Sequence, residues 1–287
     1  MTTSWDGVVT LGSGVKSPAR RARARAIAAR LGVPLLGSTD PAARRARATY
    51  AVSEARERIR FPDGAALEPH PGLLGQKLQT GHAHPLAMAM GLRPERPLRL
   101  LDGTAGLGQD SLHFAALGAE VLGAEANPAL GLLLEGALQR WRRAGGPWSA
   151  AAGRVRMSHR DLRGALAGLP PGAVDAVFLD PMFEDPRPAG PGYDVFRREA
   201  SPAPLRVDEL ERAVATAGER VVVKVPAGCE PRLTPSSGSA ALARLGFNRR
   251  ICSRAFDYWI VESVLALDWQ SPKRGRDPYP RPPRDGR

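Results

Sequence analysis

From residue 97 onward, short apolar runs alternate with amphipathic segments, and this alternation restricts the fold more than any other feature of the sequence. The runs PLRLLD, EVLGAEA and VDAVFLD are nearly continuous in apolar residues, as strands covered on both faces are. The segments QDSLHFAALGA and NPALGLLLEGALQRWRRAG have the periodicity and length of helices. Such repeats form a mostly parallel sheet with helices on both faces, so we predict a Rossmann-like α/β fold.

The change in sequence pattern near residue 97 also divides the chain into regions. Before it lie a strand-like run, VVTL, a helix, and two short alternating runs that end in a Pro-Asp-Gly turn. The segment SPKRGRDPYPRPPRDGR at the other end has too few apolar residues to pack. We therefore predict a small basic N-terminal α/β domain (1–68), a bridging segment that is helical after Pro85 (69–96), the sheet domain (97–270) and a basic disordered tail (271–287).

The helix of the N-terminal domain carries a run of arginines. Ser17 and Pro18 form a typical helix start, and Gly32 ends the helix. Ile27 and Leu31 mark its apolar side. We expect four arginines on the other side to be exposed: Arg20, Arg21, Arg23 and Arg25.

The net charge of +12 is concentrated at the two ends of the chain. Residues 1–60 hold 12 Lys and Arg against 4 Asp and Glu, and residues 271–287 hold 6 against 2. Residues 61–270 hold 23 of each kind. A coding bias toward arginine would enrich arginine along the whole chain, whereas residues 61–270 carry equal numbers of basic and acidic residues. The pattern predicts a polyanionic partner, such as a nucleic acid, that is contacted from outside the core.

Other classes of protein receive no support from the sequence. No window approaches the roughly 18 apolar residues of a membrane span, and the start MTTSWDGVVT lacks the pattern of a secretory signal. Cys229 and Cys252 form neither a disulfide framework nor a metal spacing. We expect a cytoplasmic protein with two reduced thiols and no contact with a membrane.

The turn LLDGTAGLGQD joins the first strand of the sheet to its helix. Gly106 and Gly108 let the backbone approach a ligand without a Cβ clash and can adopt positive φ. Seventeen residues after Gly108, Glu125 ends the second strand, where it can accept hydrogen bonds from two ribose hydroxyls. The turn and the acid together predict a nucleoside site.

The glycine motif alone does not decide between NAD and S-adenosylmethionine, because Gly106-x-Gly108-x-x-Ser111 is close to the dinucleotide pattern. Asp102, just before the glycines, would repel a pyrophosphate and favours a cationic ligand that carries an amino acid. No Tyr-x-x-x-Lys pair for hydride transfer is found near the cleft. Asp161, after the third strand, can accept from an adenine amine or simply cap a helix.

The fourth strand ends in Asp180-Pro181-Met182-Phe183, beside the first strand at the switch point of the sheet. The exocyclic amine of a nucleobase is a poor nucleophile, because its lone pair is delocalised into the ring. The Asp180 carboxylate and the Pro181 carbonyl can accept its two N–H bonds and turn the lone pair toward a methyl group. Phe183 offers a flat surface on which the base can stack. An ordinary strand-to-turn junction is the alternative reading of this corner.

Five segments in this order resemble the RsmJ-type methyltransferases: DGTAGLGQD, EVLGAEANP, FLDPMF, VVVKVP and RAFDYWIV. The resemblance covers roughly residues 70–265. It implies an S-adenosylmethionine-dependent methyltransferase that modifies a guanine N2 amine of small-subunit (16S) ribosomal RNA. By this match Asp180 and Phe183 hold the guanine and Lys224 faces the same cleft, so the residues assigned to the reaction, with Pro181 of the corner, are Asp180, Pro181, Phe183 and Lys224. Lys224 could neutralise a phosphate of the target nucleotide there or be only a solvated strand end. The residues expected to bind the cofactor are Asp102, Thr104, Ala105, Gly106, Gly108, Asp110, Glu125, Ala126, Asp161 and Asp180.

Two segments depart from the family pattern. The basic, glycine-rich segment expected before the first sheet strand reads KLQTGHAHPLAMAM, with Lys77, His82 and His84 in place of several arginines. The lysine-rich loop after the corner is replaced by EDPRPAGPGYDVFRRE. His82 and His84 could bind a metal, contact RNA or serve the fold; without further ligands at metal spacing, we expect no metal.

The leading hypothesis is a monomeric RNA guanine-N2 methyltransferase that acts on ribosomal RNA or the small ribosomal subunit. Two alternatives remain open. In the first, the chain is a methyltransferase for another planar amine, in DNA adenine, another RNA base or a protein amide, since the corner at Asp180 suits any of them. Otherwise it is an RNA-binding protein that keeps the fold without turnover.

Overall fold

The structure is a computed structural model that describes residues 5–72, 74–182, 195–197, 199–200, 204–234 and 238–262. The predicted tail and Phe183 lie outside these ranges. The N-terminal elements are β1 (Val8–Leu11), α1 (Pro18–Leu31), β2 (Leu35–Gly37), α2 (Pro41–Arg45), β3 (Thr49–Val52), β4 (Glu57–Arg60) and β5 (Ala66–Leu67). The bridging segment contains α3 (Leu74–Thr80), a short 3₁₀ helix (Gly81–Ala83) and α4 (Pro85–Met90).

The remaining elements alternate as the sequence predicts. They are β6 (Arg99–Asp102), α5 (Gln109–Ala116), β7 (Glu120–Ala124), α6 (Pro128–Ala144), α7 (Ser149–Arg154), β8 (Val155–Ser158), α8 (Leu162–Ala167), β9 (Val174–Leu179), β10 (Leu205–Arg206), α9 (Val207–Thr216), β11 (Ala217–Pro226), β12 (Leu233–Thr234), α10 (Gly238–Arg244), β13 (Arg249–Cys252) and β14 (Phe256–Glu262).

Over the described residues, the main sheet has seven strands in the order β13-β14-β11-β9-β6-β7-β8. The five strands from β8 to β11 run parallel, and β14 and β13 close the sheet antiparallel. Within this sheet the chain forms β6 first and then continues outward through β7 and β8. It then crosses back to β9, which lies on the other side of β6. The switch point therefore lies between β6 and β9, where ligands bind in sheets of this kind. The predicted fold is confirmed.

The N-terminal sheet, counted over the same described ranges, has five strands in the order β2-β1-β3-β4-β5. Its hydrophobic core includes Trp5, Ile27 and Tyr50, and it continues into residues of α6 such as Leu130 and Leu133. The other side of α6 contributes Leu134 and Leu138 to the core of the main sheet. One helix therefore packs against both sheets.

Helix α1 begins and ends where the sequence predicts. The Ser17 side chain accepts a hydrogen bond from the Arg20 N–H, and Pro18 occupies the first helical position. Gly32 ends the helix with a φ of 67°, a left-handed conformation suited to glycine. The prediction that Arg20 and Arg23 are exposed is wrong, whereas Arg21 and Arg25 are exposed as expected.

Arg20 and Arg23 are half-buried because both interact with Glu57, a carboxylate of β4 that is 1% exposed. Arg20 Nη1 donates to Glu57 Oε1 at 2.9 Å, and the Tyr50 hydroxyl donates to Oε2 at 2.6 Å. Arg23 donates to the Leu132 carbonyl of α6 at 2.9 Å. Arg20 therefore ties α1 to β4, and Arg23 joins the N-terminal domain to α6.

Several short elements were not anticipated from the sequence, namely β2, α2, α3, α7, β10, β12 and α10. Each has ten residues or fewer, too few for hydrophobic periodicity to be distinctive. No helix within the described ranges is long and apolar enough to cross a membrane. Cys229 and Cys252 are both free thiols on the surface.

Candidate active site

The glycine turn between β6 and α5 is tightly packed. Gly106 and Gly108 have φ angles of 52° and 78°, the left-handed conformation that the sequence predicts as possible. A Cβ on Gly108 would lie 2.5 Å from Leu134, and a Cβ on Gly106 would lie 2.9 Å from the Phe196 ring. Both the backbone conformation and the available space therefore favour glycine at these positions. The Ala105 N–H, inside the turn, donates to the backbone of β7 at 2.9 Å.

Glu125 lies at the end of β7, directly beside this turn. Its Oε2 accepts from the Gly106 N–H at 2.9 Å, and its Oε1 accepts from the Asn127 N–H at 2.7 Å. Burial raises the pKa of Glu125, although these backbone bonds oppose the shift. Each carboxylate oxygen can accept more than one hydrogen bond, so this rigidly held group can also accept from two hydroxyls. Its neighbour Ala126 is half-buried.

Asp102 ends β6 and is almost completely buried, at 1% exposure. Its Oδ2 accepts from the Ser111 hydroxyl at 2.5 Å, and its Oδ1 accepts from the Thr104 N–H at 3.1 Å. Burial raises the pKa of Asp102 to about 7. A buried carboxylate of this kind favours a cationic partner, because a nearby positive charge stabilises its ionised form.

The corner after β9 is tied to the glycine turn. The Asp180 N–H donates to Oγ1 of Thr104 at 2.7 Å. Pro181 and Met182 follow and are half-buried. The corner and the turn therefore lie side by side at the carboxyl ends of β9 and β6, as the switch-point argument requires.

Lys224, near the end of β11, joins this corner to helix α5. Its ammonium donates to Asp180 Oδ2 at 2.6 Å and to Asp110 Oδ2 at 3.0 Å. Lys77 of α3 donates to the other oxygen of Asp110. The Lys224 ammonium also lies 4.4 Å from the centre of the Phe256 ring, within range of a cation–π interaction.

The charges in this cluster shift one another's pKa values. Burial alone would raise the pKa of Asp110, but Lys224 and Lys77 outweigh it and lower that pKa. Burial and the nearby Asp110 raise the pKa of Asp180, although Lys224 opposes the shift. Burial would lower the pKa of Lys224, and the two carboxylates more than reverse this. Asp180 is thus the more basic carboxylate of the two that share one ammonium.

Asp161 lies apart from these contacts, at the start of α8. It is the N-cap of that helix, and its Oδ1 accepts from the Gly164 N–H at 2.7 Å. This is the capping role that the sequence left open. A contact between Asp161 and an adenine amine stays a prediction.

Among the histidines of the bridging segment, His84 makes helix and core contacts. His84 caps α4, its Nδ1 accepting from the Leu86 N–H at 3.2 Å, and its ring lies 5.0 Å from that of His113, centre to centre. Burial lowers the pKa of His113 to about 3. Among the described residues, no three His, Cys, Asp or Glu side chains group as a metal site would require.

Two site residues were not assigned a role from the sequence. Lys77 was noted only as a departure from the family pattern, and Phe256 only as part of RAFDYWIV. Phe256 is 37% exposed, and its ring lies against Lys224, which binds Asp180 of the corner. The antiparallel direction of β14 places its first residue at the same edge as the carboxyl ends of the parallel strands, which the closing-strand prediction could have indicated.

The polar groups around the turn fit S-adenosylmethionine. Glu125 suits the ribose hydroxyls, and the buried Asp102 suits a cationic amino-acid moiety. Apart from Asp161, which caps α8, the residues that the sequence assigns to the cofactor lie at the end of β6, in the turn that follows it, at the start of α5, just after β7 and at the corner after β9.

Comparisons with known proteins agree with this geometry. A family model described as "Putative SAM-dependent methyltransferase" matches residues 74–242. The ribosomal RNA small subunit methyltransferase J of Alkalilimnicola ehrlichii is 34% identical over 249 residues, which cover 79% of this chain and 88% of that protein. The protein of the same name from Rhodopseudomonas palustris is 34% identical over 169 residues, covering 56% of this chain and 74% of its own.

A solved structure has the same fold. The SAM-dependent methyltransferase from Neisseria gonorrhoeae aligns with a TM-score of 0.63 at 20% sequence identity, over 90% of this chain and 96% of its own. The resemblance read from the sequence and the expected methyl donor are confirmed. The chain belongs to the S-adenosylmethionine-dependent methyltransferases of the ribosomal RNA small subunit methyltransferase J family.

Proposed function

We propose that this methyltransferase modifies the exocyclic N2 amine of a guanine in small-subunit ribosomal RNA. The names of its relatives specify RNA of the small ribosomal subunit as their substrate. The corner at Asp180 supports an exocyclic amine as the acceptor, because a carboxylate and a neighbouring backbone carbonyl can accept both N–H bonds of a planar amine.

One observation carries the proposal: the Asp180 N–H binds Thr104 of the glycine turn at 2.7 Å. The group proposed to hold the amine is thereby fixed to the turn proposed to hold the methyl donor. Holding two reactants in an aligned geometry can supply several kcal/mol of the catalytic effect. Bound S-adenosylmethionine supplies a methyl group made electrophilic by its sulfonium.

Asp180 and Lys224 have separate roles in the rest of the reaction. Before reaction, the Lys224 ammonium stabilises Asp180 as a carboxylate that accepts from the amine. As the methyl group passes from sulfur to nitrogen, the methyl–sulfur bond breaks and the donor would leave as a neutral thioether. The amine becomes cationic and then loses a proton. Asp180 can accept this proton, because burial and Asp110 raise its pKa. No stronger base is required, since the proton leaves after the methyl group has arrived.

The RNA would be held from outside the pocket. Exposed arginines of α1 and α2 make the surface of the N-terminal domain basic: Arg21, Arg25, Arg30, Arg44 and Arg45. Such a surface binds phosphates without reading sequence, while the target base is unstacked into the cleft. A ribosomal substrate implies action in the cytoplasm, and we expect the protein to act as a monomer, which light scattering would test.

Mass spectrometry of the reaction product tests the proposal. The purified protein is incubated with methyl-labelled S-adenosylmethionine and, separately, with small ribosomal subunits, free small-subunit RNA, DNA or ribosomal protein. We expect labelled N2-methylguanosine in the small-subunit RNA, at one position. Label on adenine in DNA or on a protein amide would refute the proposed substrate. Binding of the methyl donor without transfer to any substrate would favour the non-enzymatic alternative.

A further inference from the structure

Glu199 is a buried carboxylate that the proposed reaction does not use. Its side chain is 0% exposed. Its Oε2 accepts from the Trp5 indole N–H at 2.8 Å, and its Oε1 accepts from Arg47 Nη1 at 2.9 Å. Both donors belong to the N-terminal domain, so Glu199 connects that domain to a segment that follows the catalytic corner in the chain.

Glu199 also contacts the loop that holds Glu125. The Asn127 side-chain amide donates to the Glu199 carbonyl at 2.7 Å and to its Oε2 at 3.2 Å. The backbone N–H of the same asparagine donates to Glu125, the carboxylate suited to the ribose. A chain of hydrogen bonds therefore links the N-terminal domain to the proposed ribose site through two residues, Glu199 and Asn127.

The turn that precedes Glu199 packs against the glycine loop. The N–H groups of Glu199 and Ala200 both donate to the Phe196 carbonyl at 3.0 Å, forming one compact turn. The Phe196 ring at its start lies so close to Gly106 that a Cβ there would come within 2.9 Å of it. Fixing Glu199 therefore fixes Phe196 beside the residue whose N–H binds Glu125.

We propose that Glu199 is a positioning residue for the methyl donor, holding the Phe196 turn against the glycine loop with Trp5 and Arg47 as anchors. Ion pairs in a protein interior often add little net stability, because desolvation offsets their attraction. A specific geometry is the better explanation for keeping a carboxylate here. The N-terminal domain then serves the cofactor pocket as well as the RNA.

Binding of S-adenosylmethionine to the RNA-free protein tests this role. Glu199→Gln keeps the shape of the side chain but removes the charge that pairs with Arg47. We expect its dissociation constant for the methyl donor, measured by calorimetry, to rise about 10-fold, with kcat at saturating donor and RNA affinity within about twofold of the wild type. In the ligand-free protein, amide hydrogen exchange should accelerate at residues 195–200.

Asp6→Asn is the matched control. It removes the same charge from the exposed partner of the same guanidinium, since Arg47 Nε donates to Asp6 Oδ1 at 2.6 Å. We expect its donor affinity and its exchange at 195–200 to match the wild type. An equal loss in Asp6→Asn and Glu199→Gln would overturn the proposal, as would unchanged donor affinity in Glu199→Gln.

A second variant keeps the proposal testable if Glu199→Gln does not fold. Trp5→Phe keeps an aromatic ring at this buried position and deletes the N–H that Glu199 accepts, together with part of the indole. We expect donor binding to weaken about threefold, and an unaltered dissociation constant would contradict the proposal. The donor-binding and hydrogen-exchange measurements use no RNA, so they are independent of which base is the target and remain valid if the guanine assignment fails.

Discussion

Two clusters of buried charge in this protein differ in what they leave open to solvent. Glu57 is 1% exposed, and a tyrosine hydroxyl and two guanidinium groups surround its carboxylate. In the second cluster, Lys224 is shared by Asp110 and Asp180, and Asp180 keeps 28% of its side chain exposed. The first cluster lies between the N-terminal sheet and α6, whereas the second lies at the carboxyl ends of the parallel strands.

This difference separates structural charge from reactive charge. The carboxylate of Glu57 is enclosed by donors from its own protein, so it holds α1 against β4, and Arg23 of the same cluster extends this contact to α6. Asp180 shares one ammonium with a competing carboxylate, and its pKa is raised rather than lowered. Perturbed and partly accessible groups of this kind are typical of catalytic sites.

The largest effect is expected for Asp180→Asn. The amide keeps the size of the side chain but loses the negative charge that we propose orients the amine and takes its proton. We expect methyl transfer to fall by about 100-fold or more, with donor affinity nearly unchanged. Single-turnover kinetics and calorimetry would measure both. Full activity in this variant would remove the distinction between the two clusters.

Glu57→Gln should instead affect stability. It leaves Arg20 and Arg23 near a neutral group, and breaking a buried ion pair typically destabilises a protein by about 3 kcal/mol. We expect urea unfolding at a lower midpoint, with methyl transfer by the folded enzyme close to that of the wild type. A large loss of turnover without a loss of stability would show that the first cluster acts in catalysis.

Asp102 provides an intermediate case, because it is buried without a cation among its hydrogen-bond donors. Its pKa is raised to about 7, so the folded state holds a proton that the unfolded state releases near pH 4. Its contribution to stability is therefore present below about pH 4 and lost as the pH rises through about 7. Between pH 4 and 8, the wild type should lose on the order of 2 kcal/mol relative to Asp102→Asn. Equal pH dependence in urea unfolding would exclude this titration.

Lys224→Gln tests the shared ammonium. Without it, Asp180 and Asp110 repel each other and the pKa of Asp180 rises further, because Lys224 now lowers it. We expect turnover to fall about 10-fold at neutral pH and to recover partly at higher pH. A pH–rate profile identical in shape to that of the wild type would argue that Lys224 does not control Asp180.

The smallest effect should come from the arginines that the Glu57 cluster does not use. Arg25→Ala should weaken RNA binding about threefold at low salt and leave stability unchanged, whereas Arg20→Ala should reduce stability. For the wild type, added salt should weaken RNA binding far more than binding of the methyl donor. Filter binding and calorimetry across a salt series would measure this, and equal salt dependence would refute the division between the basic surface and the pocket.

Local sequence patterns predicted the features that depend on local chemistry. The apolar runs predicted the strands, and the position of Asp180 after β9 followed from the order of βα units. Gly106, Gly108 and Glu125 were identified because a turn and a strand end have fixed places in such a fold. These inferences required no knowledge of how distant segments pack together.

Contacts between distant segments could not be predicted in this way. The periodicity of α1 treats Arg20, Arg23 and Arg25 alike, and only the docking of β4 and α6 distinguishes them. Glu199 binds donors 194 and 152 residues earlier in the chain, so no spacing rule reveals it. Lys77 reaches Asp110 across 33 residues for the same reason.

Helix α6 contributes opposite sides to two hydrophobic cores, and this has a consequence for how the protein unfolds. If residues 1–68 were expressed alone, the apolar surface that now packs against Leu130 and Leu133 would be exposed to water. The remainder of the chain would in turn present those leucines to water. Neither half is therefore expected to be an autonomous folding unit, and heating should melt both sheets in a single calorimetric peak.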